Sequence, residues 1–398
     1  MDETRFVDTS FGAPYRTIGW SYSAFKPAPI PRLLDLSTES VLALSIADGA
    51  LGRLAGAGRQ LHDTNLFVRP YMTREALASS RIEGTQASLS EVFQADASDE
   101  GMTVDVREVW NYRAAMEAGL AALSTEPIAG RLVRQIHETL LLGVRGEARN
   151  PGEFRDNPVW IGSPTDTPEN AVYVPPFRAE MLEAWRDWEE FANSRPRLPI
   201  LVQCALLHYQ LETIRPFFDG NGRLGRLLIV FFLIERGLLP APLLYIGSYL
   251  EENRRDYYER LQSVRERGEI QEWLQFFLTA VSVQAEDAVA RVEALADLRE
   301  VYRAQLAGSR SRAVEVVDLL FANPIIAARR VEQALSVTNQ GAHNLIRELE
   351  RRGWLRQLPS VGRGGRNLWL APEIFAAVEE PRPAPPAQRG PDQVTLGR

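Results

Sequence analysis

The sequence predicts a mainly α-helical fold with one β-hairpin and a small C-terminal module of three helices and a hairpin. Apolar residues recur at helical spacing over most of residues 37–281. Two short runs rich in β-branched and aromatic residues, 159–162 and 171–174, flank a polar turn and predict the hairpin. Three short helical patterns followed by two strand patterns, within 311–372, predict the terminal module.

Composition limits the class of protein. A chain of 398 residues with 45% hydrophobic residues supports two or three domains. Its formal net charge of −7 argues against a protein that mainly coats nucleic acid, although a local basic patch is compatible with it. The single cysteine, Cys204, excludes a disulfide framework and a zinc cluster, so we expect a reducing, cytoplasmic location. The polar N-terminus and the lack of an apolar run of about 18 residues predict neither a signal peptide nor a membrane span.

The chain divides into five predicted regions. They are an N-terminal helical region at 1–126, a central domain at 127–282, a helical connector at 283–308, a winged helix-turn-helix at 309–376 and a disordered Pro-rich tail at 377–398. We expect residues 1–36 to be irregular and a helix to run from about 73 to 84, with Thr73 as its N-cap.

A polar, glycine-rich turn at 219–223 lies between two apolar helical runs. Gly220 and Gly222 permit backbone conformations that a side chain would forbid, so successive N–H groups can point into one concavity. That concavity lies at the positive end of the following helix, which suits phosphate oxygens.

Three charged side chains complete this predicted phosphate site. Arg223 and Arg226 are three residues apart, so they project from one helix face and can clamp two phosphates. Asp219 is the carboxylate of the turn, and Mg²⁺ often needs only one or two carboxylates plus phosphate oxygens.

The stretch 213–228 resembles the Fic (Fido) motif, H-P-F-x-[D/E]-G-N-G-R-x-x-R. Arg215 stands where the family has its catalytic histidine. The matching residues are Pro216, Phe217, Asp219, Gly220, Asn221, Gly222, Arg223 and Arg226. The resemblance implies a Fic helical core in which Phe217, residues 219–223 and Arg226 bind ATP with Mg²⁺. It also implies transfer of AMP from ATP to a Ser, Thr or Tyr hydroxyl of a target protein or of the chain itself.

A second motif precedes this loop in the chain. Ser79, Glu83 and Gly84 resemble the family's inhibitory motif, [S/T]-x-x-x-E-[G/N]. By itself, a glutamate before a C-capping glycine is a common helix ending. Together with the Fic loop, the motif implies that Glu83 pairs with Arg226, removes a ligand of the γ-phosphate and inhibits the protein.

Two further segments carry the resemblance. The predicted hairpin with Trp160, Ile161 and Gly162 resembles the Fic flap, which holds a target segment by edge-strand pairing. Tyr257 and Tyr258 match the family's nucleotide-pocket segment and are candidates for contacts with the base or ribose, with core packing as the alternative. We interpret His137 and His208 as structural residues.

Arg215 changes the predicted chemistry. The family's histidine accepts the proton of the attacking hydroxyl, whereas arginine has no free lone pair and a pKa above about 12. Loss of general-base help commonly costs about 10²–10⁴-fold, so we expect an inactive or strongly impaired protein. Arg215 is compatible with a change introduced to trap an inactive protein, with a native pseudoenzyme, or with an acceptor that is already deprotonated.

The C-terminal pattern resembles a winged helix-turn-helix. Its recognition helix would present Asn339, Gln340, His343, Asn344 and Arg347, and its wing would present Arg363 and Arg366. Such wings bind DNA or dock proteins. The alternative function is therefore a nucleotide-binding, DNA-binding regulator that uses the Fic fold as a ligand pocket. A homodimer is left open, since family members often pair through helices.

Overall fold

The computed structural model describes residues 1–60, 64–98, 102–163, 165–309, 311–359 and 367–379, and it is mainly helical as the sequence predicts. Its helices are α1 Thr38–Gln60, α2 Thr64–Ile82, α3 Leu89–Ser98, α4 Val104–Ala122, α5 Gly130–Leu141, α6 Arg178–Asn193, α7 Ile200–Ile214, α8 Asn221–Glu235, α9 Gly247–Glu252, α10 Arg254–Arg267, α11 Ile270–Leu306, α12 Ala313–Ala322, α13 Ala328–Leu335, α14 Asn339–Arg351 and α15 Pro372–Glu379. The strands are β1 Gly12–Tyr15, β2 Ala24–Pro27, β3 Ile325–Ala327, β4 Arg356–Gln357 and β5 Leu368–Leu370.

Helices α7 and α8 form the centre of the main core. Both are apolar around most of their circumference and are almost entirely buried, as expected for helices enclosed by others. They pack against each other, while α5 contacts α8 and α6 contacts α7. The loop between them, residues 215–220, is therefore fixed at both ends by packed helices.

Helix α11 is continuous from Ile270 to Leu306. The boundary that we expected near 282 therefore falls inside one helix, which packs along α1. The stretch Thr38–Arg59 of α1 has the length and mean hydropathy, 1.2, of a membrane span, with 39% of that window buried. Core helices meet the same criterion, and the packing of α1 on α11 buries one of its faces.

The N-terminal segment is more regular than the sequence predicts. Strands β1 and β2 pair antiparallel, with Gly12 opposite Pro27 and Tyr15 opposite Ala24. Strands of four residues are too short to produce a recognisable period, which is why we expected an irregular segment here. The β1–β2 hairpin covers a second, smaller core that includes Phe25, Tyr173 and Phe177.

Helix α2 begins earlier than predicted. We expected Thr73 to be an N-cap, but its hydroxyl donates to the carbonyl of Arg69 at 3.0 Å, inside a helix that starts at Thr64. Pro70 lies within the helix, where it removes one backbone hydrogen bond. The helix ends where predicted, because Gly84 adopts a φ of +103° that terminates it.

The C-terminal module comprises residues 311–359 and 367–379. Its sheet has the order β3-β5-β4, and β3 and α15 were not predicted. Helix α12 packs on α2, and the apolar residues of the module join the main core. The tail that we expected to be disordered from residue 377 begins later, because residues 377–379 form the last turn of α15. The predicted wing residues Arg363 and Arg366, and the tail from residue 380, lie outside the described residues.

Candidate functional site

The loop between α7 and α8 is closed by the side chain of Asn221. Its Oδ1 accepts from the N–H of Phe217 at 3.0 Å, and its Nδ2 donates to the Phe217 carbonyl at 2.8 Å. Arg215 and Gly220 both adopt positive φ, at 43° and 72°. The first-turn N–H groups of α8 have no acceptor within the helix, so the loop presents them as a site for an anion.

His137 stabilises this loop from α5, a role that the sequence did not reveal. Its Nδ1 accepts from the N–H of Gly152 at 2.8 Å, so the proton is assigned to Nε2, which donates to the Asp219 carbonyl at 2.9 Å. The imidazole stacks on Phe217 with ring centroids 3.8 Å apart. Burial lowers the pKa of His137 to about 4, so the ring stays neutral at physiological pH.

Arg155 holds the backbone at the position of the family's histidine. This fully buried guanidinium donates through Nε to the carbonyl of Arg215 at 2.8 Å and through NH2 to that of Ile214 at 3.3 Å. Burial, together with the charge of Arg215, lowers the pKa of Arg155 to about 10. The Arg in the run Pro151–Arg155 was visible in the sequence, but its contacts depend on the folded chain.

Arg226 is enclosed by the end of α2. Its Nε donates to the hydroxyl of Ser79 at 2.7 Å, and its NH2 donates to the Ser79 carbonyl at 2.9 Å and to Glu83 Oε1 at 2.8 Å. The Arg226 side chain is 1% exposed, while that of Glu83 is 32% exposed. Burial alone would raise the pKa of Glu83, but the charge and hydrogen bond of Arg226 hold it below its ordinary value. We call Glu83–Arg226 the inhibitory ion pair, after the role that the sequence predicts for it.

Arg223 is buried beside a second carboxylate. Its NH1 lies 4.0 Å from Glu108 Oε2, and both side chains are nearly inaccessible. Glu108 accepts two hydrogen bonds from Arg145, each 2.7 Å, and one from the hydroxyl of Thr85. Burial would raise the pKa of Glu108, yet these donors and Arg223 hold it below its usual value. Thr85 follows Gly84 directly, so Glu108 also fixes the segment that ends α2.

Arg215 faces a buried carboxylate of α7. Its NH1 lies 3.4 Å from Glu212 Oε2, and the Arg215 side chain is 23% exposed. Burial raises the pKa of Glu212 against the opposing charges of Arg215 and Arg226. The side chain of Arg215 is therefore a cation paired with the Glu212 carboxylate, and it supplies no proton acceptor to the loop.

Asp219 lies at the mouth of an open cavity of about 610 Å³, which is also lined by Asn150, Asp156, Trp160 and Phe218. Asp219 Oδ1 accepts from the N–H of Gly220 at 2.6 Å. Within the described residues, no group of three or more His, Cys, Asp or Glu side chains could hold a metal ion. A single carboxylate fits Mg²⁺ only when phosphate oxygens and waters complete its six ligands.

The two candidate tyrosines differ in exposure. Tyr257 is buried and its hydroxyl lies 2.9 Å from Nε2 of His208, whose pKa burial lowers to about 3. Tyr258 is 40% exposed and lies within electrostatic reach of Glu83 and Arg226. Tyr258 is thus the candidate that a ligand can reach, while Tyr257 packs in the core.

Among the described residues of the predicted flap, one antiparallel bridge joins its two sides. Ile161 and Tyr173 exchange backbone hydrogen bonds of 2.8 and 3.2 Å. The indole of Trp160 is 44% exposed beside the cavity, and Gly162 follows the bridge. On its other side, the carbonyl of Val174 accepts from the N–H of Phe25 at 2.9 Å, so β2 supports the flap.

The predicted DNA-reading helix is α14. Asn339, Gln340, Asn344 and Arg347 are exposed on it, whereas His343 is half-buried and packs against the ring of Trp369. Arg329 and Arg330, at the start of α13, are exposed as well. Both helices therefore contribute exposed arginines to the surface of the module.

Comparison with known proteins gives three family matches. Residues 41–121 match the model described as Fic/DOC family N-terminal, residues 127–233 match Fic/DOC family, and residues 314–364 match an HTH DNA binding domain.

Full-length proteins and solved structures agree with these matches. The chain is 28% identical over 203 residues to protein adenylyltransferase Fic of Aedes aegypti, covering 49% of this chain and 37% of that protein. It is 26% identical over 250 residues to protein adenylyltransferase Fic of Drosophila yakuba, covering 61% and 44%. The chain thus spans less than half the length of these curated relatives. A crystal structure of a Fic family protein from Desulfovibrio desulfuricans G20 shares the fold, with a TM-score of 0.54, 19% identity and coverage of 85% of this chain and 97% of that one.

Proposed function

The chain belongs to the Fic/DOC family, as its loop motif predicts, and we propose that it is an autoinhibited, cytoplasmic protein adenylyltransferase whose proton acceptor is missing. In the proposed reaction, the oxygen of a Ser, Thr or Tyr hydroxyl attacks the α-phosphorus of ATP. A new P–O bond forms, pyrophosphate leaves and the hydroxyl proton needs an acceptor. The names of the curated relatives support this reaction class.

The proposed ATP site uses the loop and the first turns of α8. The open N–H groups of α8 and the guanidinium of Arg223 would bind phosphate oxygens. Arg226 would bind the terminal phosphate once Glu83 has left it. Asp219 would hold Mg²⁺ together with phosphate oxygens, and the exposed ring of Tyr258 would contact the nucleoside.

The observation that carries autoinhibition is the inhibitory ion pair at 2.8 Å. While NH2 of Arg226 donates to Glu83, it cannot join NH1 in a pair of parallel hydrogen bonds to a phosphate. The carboxylate also brings negative charge to the place where a triphosphate must lie. Release of Glu83 would remove the negative charge and one acceptor of NH2, while Ser79 keeps its hydrogen bonds with Nε and NH2.

Arg215 supports the proposal that transfer is strongly impaired. Its guanidinium cannot accept the hydroxyl proton at any accessible pH. The nearest carboxylate, Glu212, is buried and paired with Arg215 at 3.4 Å. The cation can still attract an anionic nucleotide, so we expect ATP binding to survive where turnover does not.

A target segment would lie against the flap residues Trp160, Ile161 and Gly162.

The test is calorimetric titration of ATP–Mg²⁺ into the native chain, Glu83→Gln and Glu259→Gln. Glu83→Gln removes the charge that competes with phosphate, so we expect affinity to rise about tenfold or more. Glu259→Gln is the matched control, since it breaks only the exposed Arg255–Glu259 pair on α10. Equal affinities for all three proteins would contradict autoinhibition by Glu83.

The same series tests transfer. With radiolabelled ATP, Arg215→His combined with Glu83→Gln should label protein about 10²-fold or more above Glu83→Gln alone, because histidine restores a general base. If the double variant binds ATP but labels neither itself nor proteins of a cell extract, adenylyl transfer is the wrong reaction.

We also propose, as a second function, that α13 and α14 bind duplex DNA. Exposed arginines and asparagines on these helices support it: Arg329, Arg330, Arg347, Asn339 and Asn344. Arginines contact phosphates and guanines, while asparagine reads adenine. In this function the ATP site serves as a sensor, and the protein is a regulator.

The DNA test is a selection of bound duplexes followed by titration at several salt concentrations. Arg347→Ala should weaken binding roughly tenfold, whereas Arg255→Ala, an exposed arginine on α10, should leave it unchanged. Binding should fall steeply with salt. No binding near about 100 mM salt would exclude this function.

A further inference from the structure

A chain of ion pairs links α2 to the C-terminal module. Arg74 NH1 lies 3.0 Å from Asp287 Oδ2 on α11, and the same oxygen accepts from Arg291 Nε at 2.7 Å. Arg291 NH1 then donates to the carbonyls of Ala377 and Val378, at 3.0 and 2.9 Å, in the last turn of α15. One carboxylate, Asp287, therefore connects the helix that precedes Glu83 to the final helix of the described chain.

These charges are enclosed, so they depend on each other. The Arg291 side chain is 1% exposed and that of Asp287 is 17% exposed, while Arg74 is 19% exposed. Exposed ion pairs contribute little, but a buried cation that loses its counter-ion is strongly disfavoured. Without the charge of Asp287, the guanidiniums of Arg74 and Arg291, which now share one of its oxygens, would lie close together with no counter-ion between them.

Packing accompanies these ion pairs. Helix α12 lies against α2, and α15 contacts both α2 and α11. Phe375 of α15 meets the ring of Phe93 edge-on at 6.2 Å, and Asn323 Nδ2 donates to the Phe93 carbonyl at 3.1 Å. The C-terminal module thus supports the helices that carry the inhibitory residues and is not a separate unit on a tether.

We infer that Asp287 is a positioning residue of the inhibitory ion pair and that the C-terminal module controls access of ATP through it. Arg74 and Glu83 lie about 13 Å apart along one helical axis, so α2 can transmit a displacement at Arg74 to Glu83. Loss of the Asp287 link lets α2 move and frees Arg226. A ligand that engages the module and disturbs α15 has the same route to the ATP site. The inference rests on the proposed inhibition by Glu83.

The test is titration of ATP–Mg²⁺ into Asp287→Asn, which keeps the size of the side chain and removes its charge. We expect affinity to rise roughly fivefold, the lower end of common coupling between sites. Arg74→Gln leaves Asp287 paired with the buried Arg291 and should also raise ATP affinity. This variant replaces Asp287→Asn in the test if Asp287→Asn does not fold. In the Glu83→Gln background, neither change should raise affinity further, because the competing charge is already absent.

Asp318→Asn is the matched control. It breaks the Arg299–Asp318 pair at 2.9 Å, which joins α11 to α12 without contacting α2. Its ATP affinity should equal that of the native chain. An equal rise in Asp318→Asn, or a full additional rise in the Glu83→Gln background, would overturn the inference. If Glu83→Gln tightens binding while Asp287→Asn and Arg74→Gln do not, the inference fails and the proposed inhibition stands. If Glu83→Gln itself changes nothing, both fail.

Discussion

Arg215 adopts a left-handed backbone conformation with φ at 43°, which is uncommon for a residue with a Cβ. The hydrogen bond from Arg155 to its carbonyl, at 2.8 Å, and the closed Asn221 loop compensate for the strain. These constraints act on the backbone and do not depend on the side chain. A histidine at this position would therefore enter an already formed loop, which is why Arg215→His is an informative substitution.

Glu75 lies on the same face of α2 as Ser79 and Glu83 and is fully buried. Its carboxylate accepts from the N–H of Gly247 at 2.9 Å and from the hydroxyl of Tyr112 at 3.3 Å. Burial raises the pKa of Glu75 to about 7, although the charges of Arg226 and Arg74 oppose the rise. The group is thus close to half-protonated near neutral pH.

Replacement of Glu75 by glutamine should change the pH dependence of stability. Because the pKa of Glu75 is higher in the folded than in the unfolded chain, the folded state binds more protons, and the free energy of unfolding falls as pH rises from 4.5 to about 7. Glutamine needs no proton, so Glu75→Gln should be more stable than the native chain at about pH 8, by on the order of 3 kcal/mol, with little difference at about pH 5.

Urea denaturation of both proteins at the two pH values measures this difference. Comparison at each pH cancels the contribution of His137, whose pKa of about 4 acts in the opposite direction. A difference that does not change with pH would mean that Glu75 is ionised throughout this range.

At the scale of elements, α2 has two buried anchors in addition to the inhibitory ion pair and the Arg74–Asp287 pair. Just after its C-terminal turn, the hydroxyl of Thr85 donates a hydrogen bond to Glu108. In its middle, the carboxylate of Glu75 accepts one from the N–H of Gly247. Both anchors lie outside the six-residue inhibitory motif. The motif identifies the Glu83 carboxylate in the sequence, and the two anchors determine its position in the fold.

Helix α14 begins at a capping residue that can be tested. Thr338 Oγ1 accepts from the N–H of Gly341 at 3.2 Å and satisfies one of the unpaired first-turn donors. Thr338→Ala should lower the free energy of unfolding by about 1 kcal/mol, whereas Thr338→Ser keeps the acceptor and should lower it by a few tenths at most. Urea denaturation compares the three proteins. Equal losses for alanine and serine would show that the hydroxyl does not cap the helix.

At the scale of the whole molecule, one apolar core runs from α1 through α8 and into the C-terminal module. The long helix α11 contacts α1, α7, α12 and α15. It therefore joins the regions that we expected a connector to separate. A structural change in the module must therefore be accommodated by the helices around the proposed ATP site.

The sequence by itself determined the family, the loop and the inhibitory motif. Each of these is a contiguous run, so its residue types and spacing are visible without the fold. The same holds for the helix-turn-helix, which the family matches confirm. The assignments of Tyr257 and of the flap residues stay predictions.

Only the tertiary structure identified the residues that support the site. His137 and Asp219, Arg155 and Arg215, and Arg74 and Asp287 meet across separate helices and loops. No periodicity in the sequence marks such pairs, because each contact depends on how two independently formed elements pack. The sequence therefore specified the chemistry of the site, and packing decided which side chains hold that chemistry in position.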